Sequence, residues 1–200
     1  MLKKFGIIAV ALVVLLAASE AKADPVTFST TGVFSISGTN VVAFTNANGT
    51  TTLTFNGTTD SVNTPAGASF GDIVVTTTVP ANQVGPAVGG TFSLNFNQTS
   101  PTAGSGSLAA SLTGNLGFNT GIATLAFTTT SLNIGVFTYN VNPSYTIALP
   151  VTGVGGGAGT GTTTIQGTVV GGVVPDSGAT LTLLGSALLG LAFLRRKLSA

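Results

Sequence analysis

The stretch Thr91-Phe92-Ser93-Leu94-Asn95-Phe96-Asn97 alternates strictly between polar and apolar side chains. Successive side chains of a β-strand point to opposite faces, so Phe92, Leu94 and Phe96 would share one face of such a strand. A period of two predicts a half-buried strand, with the aromatic face in a core and the Ser and Asn side chains in water.

Similar runs recur roughly every ten residues through the middle of the chain, with Thr, Ser and Asn at most intervening positions. Threonine is β-branched and suits the solvent face of a strand. The further predicted strand faces are Val26 with Phe28, Phe34 with Ile36, Leu53 with Phe55, Leu125 with Phe127, Phe137 with Tyr139 and Val141, and Tyr145 with Ile147, Leu149 and Val151.

Turn residues separate these runs. Asn48-Gly49 lies between the runs Val41 to Thr45 and Thr51 to Phe55, and Asn-Gly is a strong signal for a two-residue hairpin turn. The chain shows neither a helix of ordinary length before residue 173 nor an alignable repeat of about 20 to 50 residues. We therefore predict an all-β fold, an antiparallel β-sandwich over residues 24–172, with a β-solenoid as the alternative.

The glycine content rises near the end of this domain. Gly153 to Gly161 is predicted to be a flexible loop, followed by a last strand from Thr162 to Val170. Gly171-Gly172 would then form a short hinge before the C-terminal segment.

The N-terminal segment has the order of a secretory signal peptide. Lys3 and Lys4 precede an apolar run, and Ala21-Lys22-Ala23 fits a cleavage site with small residues at its first and third positions. We expect residues 1–23 to be the signal peptide, with cleavage after Ala23 and a mature N-terminus at Asp24. The alternative is an uncleaved N-terminal membrane anchor.

The charge of the predicted exported domain differs from that of the whole chain. The formal net charge is +1, but no Lys or Arg occurs between Asp24 and Asp176. Binding of nucleic acid or anionic lipid relies on such cations, so neither partner is expected for this domain. Because the chain has no Cys, the domain has no disulfides and must be stabilised by its core.

The residues available for catalysis are few. The chain has no His or Cys, and the domain has no Glu or Lys, which removes the usual general bases and activated nucleophiles. Asp60 and Asp72 could form a carboxylate pair, but both have turn-like neighbours and are expected to be solvated turn residues. We predict no enzymatic activity, no cofactor and no catalytic or metal-binding residue, while calcium binding through Asp and Asn oxygens stays open.

The C-terminal segment, residues 173–200, has three consecutive parts. The apolar span from Ala179 to Leu194 would reach about 24 Å as a helix, which is slightly short for a bilayer core, yet its seven leucines favour a transmembrane helix. A basic cluster follows, which predicts a cytoplasmic C-terminal end. The motif before the span is Val174, Pro175, Asp176, Ser177 and Gly178, and the cluster is Arg195, Arg196 and Lys197.

On local chemistry alone, the motif could be a turn and an N-cap for the helix that follows. The order of motif, apolar span and basic cluster, however, resembles the PEP-CTERM class of bacterial sorting signals, in the variant whose signature reads V-P-D-S-G. Asp176-Ser177 stands where the main class has Glu-Pro. The resemblance implies an exosortase that cuts near the motif and directs the preceding domain to the cell surface or extracellular matrix.

Two functions are compatible with these features. The first is an exported structural or interaction protein of the cell surface, matrix or biofilm. The general secretion machinery would export it, signal peptidase and exosortase would cut it, and the inner membrane would be a transient partner. The second is a carbohydrate-binding module that takes extracellular polysaccharide, in which Tyr139 and Tyr145 would form the sugar platform. The absence of Trp weakens the second.

Overall fold

Buried and more exposed side chains alternate along most strands of this protein. The computed structural model describes residues 25–151, 159–171, 184–188 and 190. The described residues form twelve strands, all within the unit Asp24–Gly172. The strands are β1 (Val26–Phe34), β2 (Val41–Asn46), β3 (Gly49–Asn56), β4 (Thr59–Val62), β5 (Ala66–Thr77), β6 (Ala87–Ser100), β7 (Gly104–Asn115), β8 (Ala123–Phe127), β9 (Ser131–Ile134), β10 (Phe137–Val141), β11 (Ser144–Thr146) and β12 (Thr160–Gly171).

The strands form two six-stranded sheets. The first has the order β11-β8-β7-β6-β1-β4 and the second the order β2-β3-β5-β12-β10-β9. The strand pairs of the described residues are antiparallel, and β5 pairs with β12 although the two are far apart in sequence. Repeats of a solenoid contact only their neighbours, so this pairing rules out the alternative. The all-β, antiparallel prediction is confirmed.

The stretch that opened the sequence analysis lies at the centre of the first sheet. Phe92, Leu94 and Phe96 are on the inner face of β6 and fully or almost fully buried, as the alternation predicts. Inner faces of both sheets contribute to one apolar core. It includes Val26, Phe28, Leu53, Phe55, Phe70, Ile73, Val75, Leu108, Leu112, Leu125, Tyr139, Ile165 and Val169.

Aromatic rings join the two sheets. Phe28 of β1 packs edge-on against Phe70 of β5 and Tyr139 of β10, with ring centroids 5.7 and 5.5 Å apart. The ring of Phe96 on β6 lies 5.0 Å from each of the same two rings. Such pairs contribute about 0.5 to 1.5 kcal/mol each beyond the area they bury, so this cluster holds the sheets face to face.

One glycine is required by this packing. Gly32 lies on the inner face of β1, where an added Cβ would be only 2.5 Å from the ring of Phe55 and 2.6 Å from that of Phe92. These two rings contact each other across the sheets at 5.2 Å. Gly32 therefore makes room for an aromatic pair that any larger residue would displace.

The predicted hairpin is present, but its turn begins one residue earlier than expected. Asn46 pairs with Gly49, which leaves residues 47 and 48 as the turn. The side-chain oxygen of Asn46 accepts hydrogen bonds from the backbone N–H groups of Asn48 and Gly49 at 2.9 and 3.2 Å. This side-chain capping, together with a φ of 145° at Gly49, fixes the turn position.

Two predicted strand faces extend too far. Ile36 is 61% exposed, because β1 ends at Phe34 and the chain turns there, with the N–H of Gly38 donating to the carbonyl of Phe34. The run from Tyr145 to Val151 is strand only to Thr146. Ile147 remains buried, but Val151 is exposed.

The last strand is longer than predicted at both ends. β12 includes Gly161, which pairs with Val75, and Gly171, which pairs with Phe137. The sequence predicts a loop at Gly161 and a hinge at Gly171, yet the ladder hydrogen bonds to β5 and β10 hold both glycines in the sheet. Residues 153–158 of the predicted loop and the predicted hinge residue 172 lie outside the described residues.

Candidate functional sites

The predicted processing sites fall outside the part of the chain that the structure describes. These residues are Ala21 and Ala23 of the signal-peptide cleavage site, the motif at 174–178 and the basic cluster at 195–197. Within the predicted membrane span, residues 184–188 and 190 are helical. No helix among the described residues is long and apolar enough to cross a membrane.

Tyr139 is a core residue, which corrects its assignment to a sugar platform. Its side chain on β10 is completely buried, and its hydroxyl donates a 2.8 Å hydrogen bond to Oε1 of Gln98 on β6. Burial raises the pKa of Tyr139 to about 12, because the phenolate would lose its hydration. A sugar ring cannot stack on a side chain that is enclosed between two sheets.

Tyr145 is half-buried on β11, at the edge of the first sheet. Its hydroxyl accepts a 3.1 Å hydrogen bond from the backbone N–H of Asn142 and donates to the carbonyl of Gln166. Burial raises its pKa, although the hydrogen bond from Asn142 opposes the shift. The ring also packs edge-on against Phe127 at 6.0 Å. These contacts hold the edge strand β11 in place through Tyr145. Because Tyr139 is buried and Tyr145 is half-buried, the two tyrosines do not form one exposed surface.

Buried polar contacts between the sheets were not predicted. Besides the bond from Tyr139 to Gln98, the Thr30 hydroxyl on β1 donates to the carbonyl of Phe70 on β5 at 2.8 Å. The Thr51 hydroxyl on β3 donates at 2.8 Å to the carbonyl of Leu116, the residue that follows β7 of the first sheet. Among the described side chains no buried polar atom lacks a partner. These bonds fix how one sheet lies on the other.

The sequence does contain a signal for these contacts. Gln98 continues the inner face of Phe92, Leu94 and Phe96 with the same period of two, and it is fully buried. Thr30 is likewise in phase with the buried Phe28. A polar residue in phase with an apolar strand face points inward, and burial then requires it to have a hydrogen-bond partner.

Asp60 and Asp72 lie in strands, so the prediction that they are turn residues is wrong. Asp60 is on β4 at the edge of the first sheet, and Asp72 is on β5 inside the second. Asp60 accepts a hydrogen bond from the N–H of Ser61, and Asp72 accepts one from the Thr164 hydroxyl at 2.6 Å. Each carboxylate thus has a local partner on its own sheet. The described residues show no cluster of three potential metal-binding side chains.

Comparison with known proteins separates the two parts of the chain. No curated protein and no solved structure matches it. Residues 173–198, in contrast, match the family model described as the VPDSG-CTERM motif. The matched segment includes the predicted motif, apolar span and basic cluster. Residues 173–198 are therefore a VPDSG-CTERM motif, a sorting signal of the PEP-CTERM class.

Proposed function

We propose that this protein is a non-enzymatic structural or interaction protein of the bacterial cell surface or extracellular matrix, which an exosortase sorts and cuts near Val174 to Gly178. The match of residues 173–198 to the VPDSG-CTERM motif carries the proposal. A sorting signal of this class implies an exported protein that is processed at a membrane through an exosortase-dependent pathway. The final location, the cut and the role of the domain are the proposed parts.

The proposed route begins with export through the general secretion machinery and cleavage by signal peptidase after Ala23. The apolar span at 179–194 then holds the precursor in the inner membrane, and Arg195, Arg196 and Lys197 keep its C-terminal end in the cytoplasm. Pro175 favours an extended backbone at Val174, which is the conformation in which proteases bind substrates. Exosortase would read this extended segment together with the Asp176 carboxylate and release the domain.

The described domain is suited to a structural role outside the cell. Its two sheets are joined by an apolar core and by buried hydrogen bonds, with no need for disulfides. Asp60 and Asp72 each have a local hydrogen-bond partner and lie on different sheets, which supports a role without carboxylate catalysis. The alternative of polysaccharide binding loses the aromatic platform on which it depended, because Tyr139 is in the core.

The experiment is a Pro175→Ala/Asp176→Ala double variant of the full-length chain, followed by immunoblots of membrane and surface fractions. Sorting predicts that uncut precursor accumulates in the inner membrane. The matched control is Thr180→Ala/Thr182→Ala, which changes two nearby residues and leaves the five-residue motif intact. The control should be cut and sorted normally. If the double variant keeps the size and location of the wild type, the motif is only a helix cap and the proposal fails.

A further inference from the structure

Among the described residues, the outer edge of β2 has backbone groups without a strand partner. β2 is the first strand of the second sheet and pairs with β3 on one side only. The N–H of Phe55 donates to the carbonyl of Asn40, so backbone groups of even-numbered residues bond to β3. Hydrogen-bonded and non-hydrogen-bonded pairs alternate in an antiparallel ladder, so the N–H and C=O groups of Val41, Ala43 and Thr45 point away from β3.

A side chain protects one of these three residues. The Thr39 hydroxyl accepts a 3.2 Å hydrogen bond from the N–H of Val41 and donates a 2.9 Å bond to its carbonyl. No such contact is found among the described residues for the outward groups of Ala43 and Thr45. Two N–H groups and two carbonyls therefore remain available at the middle of the edge.

The other three sheet edges carry features that discourage strand addition. β4, β9 and β11 have only four, four and three residues, and β4 carries Asp60. β2 has six residues, an unbroken register with β3, and neither a charge nor a proline. Short edges, charges and bulges are the usual protection against edge-to-edge pairing, and β2 lacks all of them.

We propose that β2 is a self-association site, at which a second copy of this chain adds its own β2 as an antiparallel strand. Pairing centred on Phe44 places Ala43 of each copy opposite Thr45 of the other. All four outward groups of Ala43 and Thr45 are then hydrogen-bonded in each copy, while Val41 keeps its Thr39 partner.

Two observations favour a second copy as the occupant. The strand Val41–Asn46 carries no charge, so it has no charge complementarity to offer an acidic or basic partner, whereas an identical neutral strand adds no like-charge repulsion. Phe44 is only partly buried at the end of the core, on the face that points inward. In the proposed pairing the two Phe44 residues lie directly opposite each other and extend the core of one copy into the next.

The test uses cysteine cross-linking, because the chain has no Cys of its own. Two differently tagged full-length copies, one with Ala43→Cys and one with Thr45→Cys, are expressed together in a host that exports them. Residues paired across hydrogen bonds have Cα atoms about 5.5 Å apart, within disulfide range. We expect the mixed pair to cross-link several-fold more than either variant alone, because identical positions lie diagonally across the pair.

The matched control is the pair Ser131→Cys and Asn133→Cys, two exposed positions on β9 at the other edge of the same sheet. A mixed β2 yield no higher than the β9 yield, or β2 cross-links that join this chain only to a different protein, would overturn the proposal. All four variants leave residues 174–178 intact. Failure of sorting would appear separately, as uncut precursor in the wild type.

A charge-exchange experiment avoids reliance on a disulfide. Ala43→Lys/Thr45→Lys and Ala43→Asp/Thr45→Asp each place like charges opposite each other across the pair, on exposed positions where the monomer tolerates them. Co-isolation of tagged copies should be lost for each variant alone and restored when the two are mixed. Undiminished co-isolation of either variant with itself would contradict pairing through β2.

Discussion

The exported domain and the sorting segment encode their properties in different ways. The domain has no match among curated proteins or solved structures, yet its strands follow from an alternation that many sequences could satisfy. The segment at 173–198 matches a family model through a short order of particular residues. A core requires apolar side chains at the inward-facing positions of each strand, whereas a processing enzyme recognises particular side chains at particular positions. Substitutions in the two regions should therefore have separable effects.

The largest effect on stability is expected from a substitution in the aromatic cluster between the two sheets. Phe96→Ala removes a buried ring that contacts Phe28, Phe70 and Tyr139, and should lower the free energy of unfolding by about 3 to 5 kcal/mol. Ile36→Ala is the control, because Ile36 is largely exposed and should change stability by no more than about 0.5 kcal/mol. Urea denaturation of both variants measures the difference. Equal effects would mean that the described core is wrong.

A smaller loss is expected when one buried hydrogen bond between the sheets is removed. Tyr139→Phe keeps the ring but leaves Oε1 of Gln98 without its donor, which should lower the free energy of unfolding by about 1 to 3 kcal/mol. Tyr145→Phe is the matched control, since that hydroxyl lies at a half-exposed edge and water can replace its contacts. Urea denaturation at neutral pH should show the larger loss for Tyr139→Phe, and the reverse order would contradict the buried link.

The same tyrosine predicts a pH dependence. Burial raises the pKa of Tyr139 to about 12, while the unfolded chain releases its tyrosine protons near the ordinary value of about 10. Because the folded pKa is the higher one, the contribution of Tyr139 is complete below pH 10 and is lost as the pH rises through 12. Tyr145 shifts in the same direction.

Denaturation midpoints measured across pH 9 to 12 test this dependence, with the range set by the ordinary and raised pKa values of Tyr139. The wild type should lose stability with increasing pH, and Tyr139→Phe should lose less over the same range. An identical alkaline decline in the two proteins would assign the effect to Tyr145 instead.

The sequence predicts the fold class and most strand faces, because alternation reports directly on which side chains face the core. The faces of Phe92 with Leu94 and Phe96, and of Leu53 with Phe55, are confirmed for this reason. Alternation says little about where a strand ends. β1 stops before Ile36 because of a turn, and β12 includes Gly161 and Gly171 because neighbouring strands supply their hydrogen bonds.

The function of the domain is harder to predict from the sequence than that of the C-terminal segment. The carbohydrate-binding alternative requires Tyr139 at the surface, although its phase with Phe137 and Val141 already indicates the inner face. Which strands become sheet edges depends on long-range pairing, so the exposed edge at β2 could not be predicted from local pattern. The sorting motif can be recognised without knowledge of long-range pairing, since it consists of consecutive residues.

In the proposed pathway, residues 173–198 direct removal of the C-terminal segment during export. The most direct test of this claim is the intact mass of wild-type protein recovered from the cell surface. Trypsin is a convenient aid, because no Lys or Arg occurs between Ala23 and Leu194 and the denatured domain should survive digestion as one fragment. We predict a mass that corresponds to an N-terminus at Asp24 and a C-terminus in or near Val174 to Gly178. Surface protein that retains Ala179 to Ala200 would contradict the claim.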